Sequence, residues 1–284
     1  MRRRTRRRVM KVMVAMGVML MMAVWWRHTL IRVIDRLPEL ASAARGIVLD
    51  QLRGSPPKKT KKRYTIHDRL EQHGDKARRK LGALFERAGV AYPPERLVLV
   101  GLKKERRLLV YADDGEGMRF IKAYPIRAAS GTLGPKRREG DFQVPEGLYN
   151  IDFFNPNSSN HLSMRVTYPS ADDRLHAKRE RRKGSLGGEI YIHGKWSSAG
   201  CLAMGDRAIE EIWVMAVDTG KRNIDVILSP VDFRVRRLPK KARNQADWVL
   251  ERYTAIREAL EALPPARLAP RRSKAGVKRR PRKK

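Results

Sequence analysis

The sequence predicts a mainly β domain carrying a few helices, and three observations predict it. Seven short runs rich in branched and aromatic residues recur between residues 96 and 228, each of strand rather than helix length. Turn-forming residues cluster between the runs, and Asp113-Asp114-Gly115, between the second and third, has the composition of a hairpin turn. Beyond the first 64 residues, apolar residues at helical spacing occur at only three places, about 65–88, 206–219 and 244–263.

In chain order, the helix at 65–88 sets Ile66, Leu70, Ala77, Leu81, Leu84 and Phe85 partly on one face and stops at Gly89, with Gly74 a weak point in its middle. The strand runs follow at 96–101, 108–112, 120–126, 147–154, 162–167, 189–193 and 224–228. The helix at 206–219 takes Asp206 as its N-cap, buries Ile209, Ile212, Trp213 and Ala216, and ends at Gly220. The last helix presents Val249, Leu250, Tyr253, Ile256, Leu260 and Leu263 and is closed by Pro264-Pro265. Arg174, Lys178, Arg179, Arg181, Arg182 and Lys183 read as a solvated basic loop.

Charge is concentrated at the ends of the chain. Residues 1–63 carry 17 Lys and Arg against three acidic residues, and residues 264–284 carry ten against none. Most of the net charge of +33 is therefore outside the β region, which argues against a nucleic-acid footprint on the folded domain. Six arginines between Arg2 and Arg8 precede the apolar run Val9 to Trp26, interrupted only by Lys11 and closed by Trp25-Trp26. Basic flank, apolar run and interfacial aromatics predict a single-pass anchor in the cytoplasmic membrane, with the rest of the chain in the periplasm or cell envelope. A cleaved signal peptide, using Ala41-Ser42-Ala43, is the alternative. The expected organisation is a basic N-terminus and anchor over 1–30, a spacer and helical segment over 31–92, the mainly β domain over 93–233, and a C-terminal helix with a basic disordered tail over 234–284.

Cys201 is the only cysteine of the 284 residues, and it follows His193 by eight positions in a loop holding Gly194, Ser197, Ser198 and Gly200. An imidazole beside a thiol can supply a base or lower the thiol's pKa, while glycines permit close backbone approach. A lone cysteine can equally be a small buried apolar residue. Export weighs toward the reactive reading, because an unpaired cysteine where disulfides are permitted is a candidate reactive thiol.

The stretch Ile192-His193-Gly194 followed by Ser198-Ala199-Gly200-Cys201-Leu202-Ala203-Met204 resembles the active-site motif of YkuD-type L,D-transpeptidases. Upstream segments, among them Tyr124-Pro125-Ile126, Gly134-Pro135-Lys136, Pro145-Glu146-Gly147-Leu148-Tyr149, Asn155-Pro156-Asn157-Ser158 and His161-Leu162-Ser163, resemble its YafK-like branch over roughly 96–233. The resemblance implies a β-sandwich-like catalytic domain acting on peptidoglycan stem peptides. It implies Cys201 as nucleophile, forming a thioester with release of the terminal D-alanine, and His193 as general base. The N–H groups of Cys201 and Gly200 are then the expected oxyanion donors, with Ser198 and Gly194 shaping the loop. The family's common motif has a histidine two residues before the cysteine, where this chain has Ala199. That departure keeps hydrolysis, or a non-catalytic peptidoglycan-binding role, beside transfer as an alternative.

His161 and Trp196 are the candidate substrate contacts, although either residue type also serves as ordinary packing. The expected partners are peptidoglycan stem peptides, the cell membrane through the anchor, and anionic envelope polymers through the basic tail, with no nucleic acid. The six histidines are scattered and the one cysteine already has a role, so no metal or cofactor is expected.

Overall fold

The helix predicted from residue 65 is capped as its sequence demands. Thr65 accepts the Asp68 N–H through its hydroxyl while the Asp68 carboxylate accepts the Thr65 N–H, and Gly89 closes the other end at φ 67°. This helix, α1 (Ile66–Ala88), runs unbroken through Gly74. The missing side chain there is used: a Cβ at Gly74 would lie 2.9 Å from the Arg78 guanidinium, which pairs with Asp218 at 2.7 Å.

A computed structural model describes residues 62–238 and 246–266, with isolated positions between 21 and 38. The chain divides into two units between Lys62 and Arg63, and the second carries all the elements below. The predicted anchor lies outside the described residues apart from Met21, Met22 and Trp25 to Arg27; most of the spacer and the tail beyond residue 266 also lie outside them. Among the described residues no helix is long and apolar enough to cross a membrane.

Each of the seven predicted runs forms a strand with boundaries within two residues: β1 (Arg96–Leu102), β2 (Arg107–Asp113), β3 (Arg119–Pro125), β5 (Gly147–Asn155), β6 (Ser163–Val166), β7 (Tyr191–His193) and β9 (Ile224–Ser229). Two more, β4 (Ala128–Ala129) and β8 (Leu202–Ala203), have only two residues each, too short for any periodicity. All nine form one sheet in the order β3-β2-β1-β9-β5-β6-β7-β8-β4. The expected mainly β domain with few helices is thus one curled sheet. β5 carries the change of direction: Gly147 to Asn150 pair with β9, Ile151 to Asn155 pair with β6, and the register shifts between Ile151 and Phe153.

The central strands are covered on both faces. From β1, Leu97 and Leu99 enter a core shared with α1 and with α3 (Asp206–Thr219). Val98, Val100 and Leu102 enter a second core with Val249, Tyr253, Ile256 and Leu260 of α4 (Asp247–Glu261). Two-sided burial explains why β1 and β2 read as continuous apolar runs.

Three details differ from expectation. Leu250 on α4 is 44% exposed, and Arg252 is buried in its stead, paired with the carboxylates of Asp172 and Asp173. Residues 171–179 form a helix, α2, opened by a Ser170/Asp173 capping box, so Arg174, Lys178 and Arg179 of the predicted basic loop are helical. Finally, Gly205 is the N-cap of α3, and the Asp206 carboxylate turns instead to Lys195.

Candidate active site

The thiol and the imidazole are set on one face of the sheet by two very short strands. β7 and β8 run parallel, with Ile192 opposite Leu202 and His193 opposite Ala203. Continuing that register sets Cys201 beside Tyr191, two residues before His193 on the same face, while Ile192 and Leu202 point into the core. A loop of eight residues, 194–201, closes the pair, so a compact spacing suffices.

His193 is almost fully buried, and its Nδ1 lies 2.6 Å from the Gly194 carbonyl oxygen. A carbonyl only accepts, so Nδ1 carries the proton and Nε2 of the neutral ring keeps its lone pair. Desolvation holds the ring's pKa below its ordinary value. Burial pushes the Cys201 thiol up; the Tyr191 N–H, 3.4 Å from Sγ, and the nearby Lys136 oppose this, while Glu189 adds to it. The Cys201 S–H is directed at the Glu189 carbonyl at 3.6 Å. Burial thus favours the uncharged form of each group, the thiol and the neutral imidazole.

The loop is held by polar contacts. Gly194 admits no side chain, since a Cβ there would stand 2.7 Å from the Asn160 carbonyl oxygen and 2.8 Å from Asp206 Oδ1. Asp206 accepts the Lys195 N–H at 2.8 Å and its ammonium at 3.1 Å. Gly200 sits at φ 102°, against the Gln143 carbonyl. The Ser198 hydroxyl donates to the Cys201 carbonyl at 2.7 Å, which leaves the Ser130 hydroxyl to donate to Ser198 at 3.0 Å. Ser130 in turn accepts the Gly200 N–H at 2.6 Å. This corrects one expectation: the Gly200 N–H is already engaged, whereas no described side chain takes that of Cys201.

Ser130, Gln143 and Lys103, which belong to no sequence motif, and Glu146, which the sequence shows only within Pro145 to Tyr149, support this loop. Gln143 bridges the Thr132 and Gly134 backbones, and its own carbonyl packs on Gly200. Glu146, fully buried, pairs with the Lys103 ammonium at 2.8 Å and accepts the Gly134 N–H and the Tyr253 hydroxyl. The loop between β4 and β5 is thereby fastened to α4. In the sequence only a buried glutamate between Pro145 and Gly147 hints at this, and burial is not visible there.

The other predicted residues are dispersed. Trp196 is 66% exposed and lines a groove of about 590 Å³ with Tyr124, Arg127, Met204 and Asp206. The His161 ring is turned to α3, with Nε2 2.9 Å from Glu210. From the predicted basic loop, Arg182 and Lys183 line a cleft of about 620 Å³ with Arg137, Arg138 and Glu180.

The L,D-transpeptidase catalytic-domain model of the YkuD family matches residues 95–227, which contain this whole constellation. The domain belongs to the YkuD family. The YafK protein of Escherichia coli K12, named as an L,D-transpeptidase on a provisional basis, is 32% identical to this chain over 168 residues, covering 57% of it and 61% of YafK. The chain thus spans about three-fifths of the curated relatives it matches. Among solved structures, the helical cell shape determining protein Pgp2 of Campylobacter jejuni is similar at 25% identity, with 48% of each chain covered and a TM-score of 0.39. L,D-transpeptidase 1 of Mycobacterium tuberculosis aligns at 16% identity over 47% of this chain and 62% of its own, with a TM-score of 0.27. α1 and α4 lie outside the YkuD match, yet each covers one of the domain's two cores.

Proposed function

We propose that this protein is a peptidoglycan-modifying cysteine acyltransferase of the L,D-transpeptidase kind, acting on stem tetrapeptides on the outer side of the cytoplasmic membrane. The observation that carries the reading is the β7–β8 register, which puts a thiol and a base with a fixed tautomer on one face of the sheet. In the proposed cycle the Cys201 S–H turns from the Glu189 carbonyl to His193 Nε2 and gives up its proton as Sγ attacks the carbonyl carbon of the diaminopimelate residue. The Cys201 N–H supports the oxyanion. Collapse of the intermediate breaks the amide bond, and the departing D-alanine amine takes the proton held on Nε2, leaving a thioester. An acceptor amine then attacks the thioester carbonyl, passes its proton through Nε2 to sulfur, and restores the thiol.

A second reading, hydrolysis by water at the thioester stage, is favoured by one feature. Ala199, where the family's common motif has histidine, is small and exposed, so its own side chain leaves room for water at that position. One experiment tests both. The full chain is incubated with diaminopimelate-containing tetrapeptides and followed by intact-mass and product mass spectrometry. Loss of D-alanine with an adduct on Cys201 is expected; cross-linked product indicates transfer, free tripeptide indicates hydrolysis. Cys201→Ala should lower turnover by at least about 1000-fold, in the range for loss of a nucleophile. Equal turnover in Cys201→Ala would defeat the mechanism. A topology reporter after residue 284 tests the export assignment.

A further inference from the structure

We propose that His73, His161 and Glu210 form a binding site for a zinc-like divalent metal ion, distinct from the Cys201 centre. The three residues come from α1, from the turn before β6 and from α3, so no sequence spacing announces them. Their ligand atoms all lie within 4.8 Å of one another. His161 Nε2 and His73 Nδ1 stand 2.9 and 3.6 Å from the same oxygen of Glu210, and the rings meet edge to face with centroids 5.2 Å apart. Tetrahedral sites with bonds of about 2.0–2.1 Å have ligand-to-ligand edges of about 3.4 Å, so a cation can enter with small side-chain rotations.

Hydrogen bonding alone leaves this cluster poorly satisfied. Only His161 makes a short contact to Glu210; His73 approaches at 3.6 Å, beyond normal hydrogen-bond range. All three side chains are about four-fifths buried, which restricts their rotamers before any ion arrives.

The surroundings select the metal class. A cavity of about 200 Å³ opens beside His73 and Glu210, giving the ion access and room for a water ligand. Its rim carries Lys76, Lys80 and Arg207, of which Lys80 is paired with Glu211 at 3.0 Å. Glu211 also lines the cavity but is held by Lys80 and Lys122, which leaves Glu210 as the one carboxylate of the donor set; that disfavours calcium and magnesium, which want several charged oxygens, whereas two imidazoles and a carboxylate suit zinc, copper or nickel. The site joins α1, outside the family match, to the catalytic domain, and His161 Cβ would stand 3.1 Å from a Cβ on Gly194. Metal occupancy would thus brace the back of the active-site loop.

The test uses the full-length chain, stripped of metal, titrated with Zn²⁺ against a chromophoric chelator and followed in parallel by thermal unfolding. One equivalent should bind and raise the unfolding midpoint. Cys201→Ala should bind equally well, which separates this site from the thiol. His73→Gln and Glu210→Gln should each weaken binding at least about tenfold and abolish the midpoint shift. Absence of stoichiometric binding, unchanged affinity in both variants, or loss of binding in Cys201→Ala would each overturn the assignment, whatever the enzyme's activity.

Discussion

The two halves of the sheet are held by different physics. In the half built from β1, β2 and β9, strands of six or seven residues are buried on both faces, and stability comes from apolar area removed from water. In the half built from β6, β7, β8 and β4, strands of two to four residues supply little ladder, and position comes from side chains bonded to backbone: Ser130 to Gly200, Ser198 to Cys201, Asp206 to Lys195. Each such bond contributes about 1 kcal/mol, little beside the core, but each fixes a direction. The difference teaches that here apolar packing confers stability while a directional polar network, tolerant of glycine and positive φ, aims the thiol.

The largest expected effect lies where the halves meet. Glu146→Ala leaves the Lys103 ammonium, 5% exposed, without its carboxylate and should cost about 3–5 kcal/mol in denaturant unfolding. Its loss should also slow turnover of the remaining folded enzyme, because Gly134 and the loop that packs on Gly200 lose their anchor. Destabilisation with unchanged kcat would break the link drawn between the halves. Ser130→Ala should invert the pattern, costing about 1 kcal/mol in stability but about tenfold in kcat, since the freed Gly200 N–H no longer holds the loop. A stability loss without a rate loss would show that this bond only packs the loop.

The smallest effect is a displacement along pH. Desolvation lowers the His193 pKa, so the base is neutral above it and is lost as pH falls through it. The acid limb of kcat/KM should therefore inflect below 6.5. Because burial raises the Cys201 thiol, its alkylation should accelerate only as pH climbs past about 9.0, slower at neutrality than for a cysteine held as a thiolate. An acid limb above 6.5 would mean that His193 is not the base.

Much of the fold was legible because period and turn residues are local properties. β1, β2, β3 and β9 were readable from their apolar runs, and α1 and α4 from spacing and terminators. β4 and β8 were not, because two residues carry no period; they exist only because neighbouring strands complete them. α2 was hidden by its charge, although Ser170 and Asp173 form a readable capping box.

The sequence by itself determined the thiol, the histidine and the glycines of the loop, since reactive groups and conformational permissions belong to residue types. It also determined the alternating apolar positions, because side chains of a strand take opposite faces whatever surrounds them. Tertiary structure alone decided which partners those residues meet. It took the Gly200 N–H for Ser130, 70 positions away, turned Glu146 into an anchor between α4 and the active-site loop, and brought His73, His161 and Glu210 to one point. Those outcomes depend on burial and on distances across the chain, which become defined only once the two cores close on the sheet.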